Sequence, residues 1–169
     1  MPTLYTIGYE GTDSSAFVGT LTGAKIAVLA DVRAVPLSRK SGFSKHALRG
    51  RLEVSGIAYM PCVGLGDPKD GREAAKNGRY EDFRRIYRAH LASPGAQLAL
   101  ASLSDTALQQ PTCLMCFERD PTTCHRLIVA HELERLGLTV VHLYPDHRGR
   151  NAGDARLLRD HIGEGAPAA

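Results

Sequence analysis

Two thiols, a carboxylate, an imidazole and a guanidinium fall within eleven consecutive positions of this 169-residue chain, at Cys116, Glu118, Cys124, His125 and Arg126. Together they could supply a nucleophile, an acid or base, and a cation for an anionic substrate. An apolar run ends at Phe117, which places Cys116 and Glu118 at the C-terminal tip of a strand, two residues apart and on one face. Cys113 points to the opposite face and reads as a small core side chain, so Cys113 and Cys116 make a poor metal chelate or redox dithiol despite their spacing. Cys124, His125 and Arg126 fall in the first turn of the next helix, where free N–H groups and the positive end of the dipole favour an anion or a thiolate. Cys124 is therefore expected to be alkylated faster than Cys62 or Cys113, with Cys116 beside Glu118 as the competing thiol. The plainer alternative has Cys124 packed, His125 solvated and Arg126 paired with Glu118.

Two other strand tips carry polar residues: Gly8-Tyr9-Glu10-Gly11 and Asp31-Val32-Arg33. Ligand sites of α/β sheets lie beyond such tips. Asp31 and Arg33 share a face by the period-two rule, and Arg33 is expected to look into the same cleft as Glu118 and Arg126, with a structural Asp31–Arg33 pair as the alternative. Glu10 is a candidate catalytic carboxylate, although a turn glutamate is more often solvated. Tyr5, Tyr9 and Tyr59 could offer hydroxyls or stacking faces, with buried packing the simpler reading. The chain has no P-loop, no Gly-x-Gly-x-x-Gly, no His-Glu-x-x-His and no Gly-x-Ser-x-Gly. A phosphatase loop needs an arginine six positions after its cysteine, where Thr122 and Ala130 stand instead.

These residues need a scaffold, and the hydrophobic pattern predicts one. Apolar runs at residues 4–8, 26–32, 57–60, 112–117 and 138–143 read as strands. Helical spacing separates them: a helix opened by Thr12 or Asp13, one capped by Ser44, one over 80–91, one over 96–108, and one over 123–136 stopped by Gly137. Residues 64–78 read as a long functional loop and 151–162 as a final helix before a frayed tail. The expected architecture is a single α/β domain over 1–150, a mostly parallel sheet with helices on both faces, in a Rossmann-like three-layer sandwich.

Composition limits the partners. The formal charge of +3 does not by itself imply a nucleic-acid or membrane partner, and no run nears the roughly 20 apolar residues that span a bilayer. With no export signal in view, a cytoplasmic location is expected, with the four cysteines reduced.

Thr6-Ile7-Gly8, Asp31-Val32-Arg33 with Pro36 and Ser38, Gly56-Ile57-Ala58-Tyr59, Leu65-Gly66, and Cys116-x-Glu118 followed by Cys124-His125-Arg126 occur in this order. Over about residues 3–145 the chain resembles the family called domain of unknown function 488. The resemblance implies a domain and a shared set of site residues, adding Gly8, Ser38 and Tyr59 as ligand-side candidates, but no reaction. The expected function is that of a thiol-dependent transferase or hydrolase acting on a small anionic, phosphorylated or nucleotide-like ligand, with no cofactor. Arg33 and Arg126 would hold the anion, Cys124 or Cys116 would attack, and Glu118 or Glu10 would serve as acid or base, with Asp31 and His125 beside them. Two rivals stand beside it: a metal site from Cys116, Cys124 and His125 with Glu118, and a non-catalytic nucleic-acid module on Arg39, Lys40, Lys45, Arg49 and Arg51.

Overall fold

A computed structural model describes residues 1–145. Its strands are β1 (Thr3–Gly8), β2 (Val28–Asp31), β3 (Ala58–Pro61), β4 (Thr112–Cys116) and β5 (Thr139–Leu143). They form one sheet in the order β3-β2-β4-β1-β5, and every pairing is parallel. The apolar runs become strands because both sheet faces are covered, which leaves no solvent side for alternating polar residues. Leu4, Leu114 and Val140 pack on one face against α3 (Lys69–Lys76), α4 (Tyr80–Leu91), α5 (Pro94–Gln109) and α6 (His125–Glu134). Ile7, Leu29, Cys113 and Met115 pack on the other against α1 (Ser14–Gly23) and α2 (Lys45–Val54). The three-layer α/β sandwich expected from the pattern is the fold observed.

The local punctuation shows why the elements begin where they do. Asp13 caps α1 through a 2.8 Å bond from the Ala16 N–H. Ser44 precedes α2 as expected but does not cap it with its side chain. Its hydroxyl instead accepts from the Ser38 N–H at 3.0 Å and donates to the Ser38 carbonyl, tying the loop after β2 to itself. The expected loop over 64–78 is corrected: it contains a 3-10 turn, Val63–Leu65, and then helix α3. The glycines at its start drew attention away from Arg72, Glu73, Ala74 and Ala75, which favour helix, and Ala74 anchors the helix on the core. The predicted helix over 151–162 lies outside the described residues.

Two glycines are fixed by close backbone approach. A Cβ at Gly8 would lie 1.8 Å from the Glu118 carbonyl oxygen, so the loop after β4 crosses directly over the end of β1. A Cβ at Gly66 would lie 2.3 Å from Ala34 Cα, so the loops after β2 and β3 also touch. The tips of β1, β2, β3 and β4 are thereby drawn together in pairs at one end of the sheet. Among the described residues, no helix is long and apolar enough to cross a membrane.

Candidate functional site

The drawn-together tips enclose a cleft of about 160 Å³, lined by Tyr9, Arg33, Ala34, Val35, Asp67, Arg72, Cys116, Phe117, Glu118 and His125. A larger depression of about 260 Å³ at the other end of the strands, around Thr3, Tyr5 and Gln110, contains no carboxyl, imidazole, thiol or cation. The chemistry therefore sits at the C-terminal tips, as parallel sheets dictate.

Cys116 ends β4 and points to the α6 side of the sheet, while Cys113 is buried on the opposite side. The Cys116 sulfur lies 3.3 Å from Glu118 Oε2 and 3.8 Å from His125 Nδ1. Cys124 is the cap residue of α6, where its sulfur accepts from the Arg126 N–H at 3.5 Å and lies 3.9 Å from the same Nδ1. His125 is 4 % exposed rather than solvated. Its ring packs near Tyr87, with centroids 5.1 Å apart, and its Nε2 lies 2.7 Å from the Val32 carbonyl. A carbonyl can only accept, so Nε2 carries a proton and Nδ1 is turned toward both sulfurs.

Arg126 departs most from expectation. It is 1 % exposed and does not line the cleft. Its guanidinium donates to the Glu118 carbonyl, to the Arg119 carbonyl at 3.1 Å and to Thr6 Oγ1 at 3.4 Å. Its donors are engaged by protein groups, and it grips the backbone rather than the carboxylate of Glu118. Arg33 does reach the cleft wall, but its donors are also taken: two contact Asp31 at 2.7 and 2.9 Å, and Nη1 donates to the Phe43 carbonyl at 2.7 Å and Tyr9 Oη at 3.3 Å. Asp31 additionally accepts from the Tyr59 hydroxyl at 2.6 Å. The Asp31–Arg33 pair is thus the buried structural pair that the sequence allowed as an alternative, and Tyr59 supports it.

The remaining candidates lie around the cleft rather than in it. Glu10 is exposed and accepts from the Arg119 N–H at 3.1 Å, so it braces the loop after β4. Ser38 closes its own loop, accepting from the Lys40 N–H at 3.1 Å. Gly8 provides the crossing described above. Of Arg33, Glu118 and Arg126, expected on one concave wall, only the first two line it, and His125 occupies the third place. The basic residues 39–51 lie on α2 and the loop before it, where Lys40 Nζ rests on the Tyr9 carbonyl at 3.2 Å and Arg49 pairs with Glu53 at 3.5 Å.

Sequence reasoning missed Asp67 and Arg72. Asp67 is 6 % exposed, and its Oδ1 has no hydrogen-bond partner among the described residues. Its only signal was an acidic residue in a glycine-rich turn. Burial pushes its carboxyl up to about 6. Burial, with the nearby Cys124 thiolate, likewise pushes Glu118 up to about 7. The two thiols separate in opposite directions. At Cys124 burial opposes ionisation, but the hydrogen bond from Cys116 and the positive Arg126 and His125 outweigh it and hold the thiol well below its ordinary range. At Cys116 that same bond to Cys124, and then burial, push the thiol well up. Burial would lower His125, and the Cys124 thiolate reverses this and raises it. The cluster thus favours a thiolate–imidazolium pair behind a neutral cleft-facing thiol.

No curated protein and no solved structure matches the chain. The family pattern described as domain of unknown function DUF488 covers residues 13–133, so the chain that holds this Cys-Cys-His cluster belongs to that family.

Proposed function

We propose that the chain is an enzyme that takes a small anionic substrate into the cleft and acts on it through the Cys116 thiol. The observation that carries this reading is the position of the Cys116 sulfur, on the cleft wall between Glu118 Oε2 at 3.3 Å and His125 Nδ1 at 3.8 Å. A nucleophile, a proton acceptor in the Cys124 thiolate, and a partner for that thiolate in His125, whose ring the Val32 carbonyl orients, are the parts thiol catalysis requires. Cys124, the favoured nucleophile by its helix position, is 3 % exposed and does not line the cleft, so its charge serves and access falls to Cys116.

In the first step the Cys116 sulfur bonds to an electrophilic atom of the substrate, and its proton passes to the Cys124–His125 pair. The departing group leaves with the bonding electrons and takes a proton from Glu118. Attack by water or a second substrate frees the sulfur and restores both protons, which makes the enzyme a hydrolase or a transferase. The substrate anion is held at the rim by Arg72, which gives the protein only Nη1, to the Asp67 carbonyl, and it is attracted by the charge of the His125 imidazolium, whereas the donors of Arg33 and Arg126 are engaged within the protein.

The test uses chelator-stripped protein labelled with anionic iodoacetate and neutral iodoacetamide, with rates at each cysteine read by mass spectrometry. Cys116 should react faster than Cys62 and Cys113, because all of them are buried but only Cys116 lines the cleft. Relative to the unfolded chain, iodoacetate should gain roughly tenfold over iodoacetamide, and Arg72→Gln should reduce that gain. Labelling of Cys116 no faster than Cys62 would remove the thiol reading.

A further inference from the structure

We infer that Cys116, Cys124 and His125, completed by Glu118, form a binding site for one divalent metal ion of zinc-like softness. The three sulfur and nitrogen donor atoms all lie within 4.8 Å of one another. The sulfur-to-Nδ1 distances are 3.8 and 3.9 Å, and Glu118 Oε2 lies 3.3 Å from the Cys116 sulfur. Around a tetrahedral zinc, with bonds of about 2.3 Å to sulfur and about 2.0 Å to nitrogen or oxygen, neighbouring donors of these kinds stand about 3.5 Å apart. The sulfur-to-nitrogen and sulfur-to-oxygen spacings are within a few tenths of an ångström of that value. Two sulfurs, one imidazole nitrogen and one carboxylate oxygen are zinc donors by type and by number.

Three features beyond the donors point the same way. His125 turns Nδ1 into the cluster and holds its other ring nitrogen on the Val32 carbonyl at 2.7 Å, the outer contact that metal-bound histidines make. The Cys124 sulfur accepts the Arg126 backbone N–H at 3.5 Å, which suits a metal-bound thiolate. Arg126 is a buried cation with no ion pair among the described residues, and its contacts are carbonyls and a hydroxyl. Two thiolates and a carboxylate around a divalent ion carry one net negative charge, and Arg126 behind them balances it. Adjacency of Cys124 and His125 along the chain, an argument against a shared metal, is overcome because the cap residue and the first helical residue turn their side chains to one point.

The inference rests on the same cluster as the proposed function but not on its nucleophilicity. With metal bound, both sulfurs are ligands, so thiol chemistry belongs to the metal-free chain and the ion gates it. The experiment titrates Zn2+ into stripped full-length protein by calorimetry and repeats the titration with Co2+, whose sulfur-to-metal charge-transfer band reports thiolate ligation. One ion per chain is expected, with the band. Cys124→Ser and His125→Gln should each weaken binding by more than the roughly 10- to 100-fold that loss of an outer contact costs, and Cys62→Ala should not. Should those variants fail to fold, the wild type decides: Zn2+ must slow alkylation of Cys116 and Cys124 and leave Cys62 unchanged. Absence of stoichiometric binding by folded wild type, binding that survives in both ligand variants, or an ion that protects neither cysteine would overturn the metal site. Fast Cys116 labelling in that same stripped protein would still leave the thiol reading standing.

Discussion

Asp67→Asn should stabilise this protein at neutral pH and not at low pH. The carboxyl is 6 % exposed, Oδ1 has no partner among the described residues, and burial raises it from 3.8 to about 6. A carboxyl whose folded value is raised binds its proton more tightly when folded. That stabilising contribution is fully present below about 3.8 and is lost as the pH climbs through about 6. The shift of roughly two units, at about 1.4 kcal/mol each, corresponds to a penalty of up to about 3 kcal/mol on the ionised side. Asparagine has nearly the same shape and cannot ionise. Denaturant unfolding of wild type and variant from pH 4 to pH 8 should therefore show a stability difference that grows with pH by about 1–3 kcal/mol, or roughly 2–4 °C of Tm per kcal/mol. An unpaired amide in the same pocket would add a constant cost, and the change with pH is insensitive to it. Parallel pH curves for the two proteins, or a difference that shrinks as the pH rises, would refute the account of Asp67 as a buried carboxylate retained at the expense of stability. Retention at such a cost is what a cleft residue with a ligand to meet would show.

Two further substitutions test the frame around the cleft. Asp31→Asn breaks a buried ion pair and weakens the Tyr59 contact while leaving Arg33 buried, so denaturant melts should show a loss of about 3–5 kcal/mol; a loss below 1 kcal/mol would mean that the pair is not structural. Gly8→Ala places a Cβ 1.8 Å from the Glu118 carbonyl, so the loop after β4 must move, with a loss of about 1–3 kcal/mol or more in thermal melts and slower Cys116 labelling. Unchanged labelling would show that the crossing does not position Glu118.

Much of the architecture was legible because its causes are local. Strand alternation put Cys113 and Cys116 on opposite faces, and the structure buries them in opposite layers. The same rule set Asp31 and Arg33 side by side. Thr12 or Asp13 announced α1, and Asp13 proves the cap, because a cap is a contact between residues three apart. Helix α3 was hidden because its glycine-rich approach, the turn signal, was read through to Gly78, and the core contact of Ala74 comes from elements distant in the chain.

The site divides along the same line. Residue types and spacing by themselves placed two thiols, a carboxylate and an imidazole at a strand tip and the helix start that follows it, with a solvated His125 left open. Tertiary structure alone decided what each does. The ring of His125 is set by Val32, 93 residues away, and the guanidinium of Arg126 by Thr6, 120 residues away, as well as by carbonyls of the preceding loop. Asp67 and Arg72 enter the cleft only because Gly66 lets the loop after β3 lie against Ala34. A side chain at a helix start or in a loop has several rotamers of similar energy, and local sequence does not choose among them. The choice falls to packing and to the requirement that buried polar groups find partners, and those partners arrive from strands that only the sheet order β3-β2-β4-β1-β5 makes neighbours.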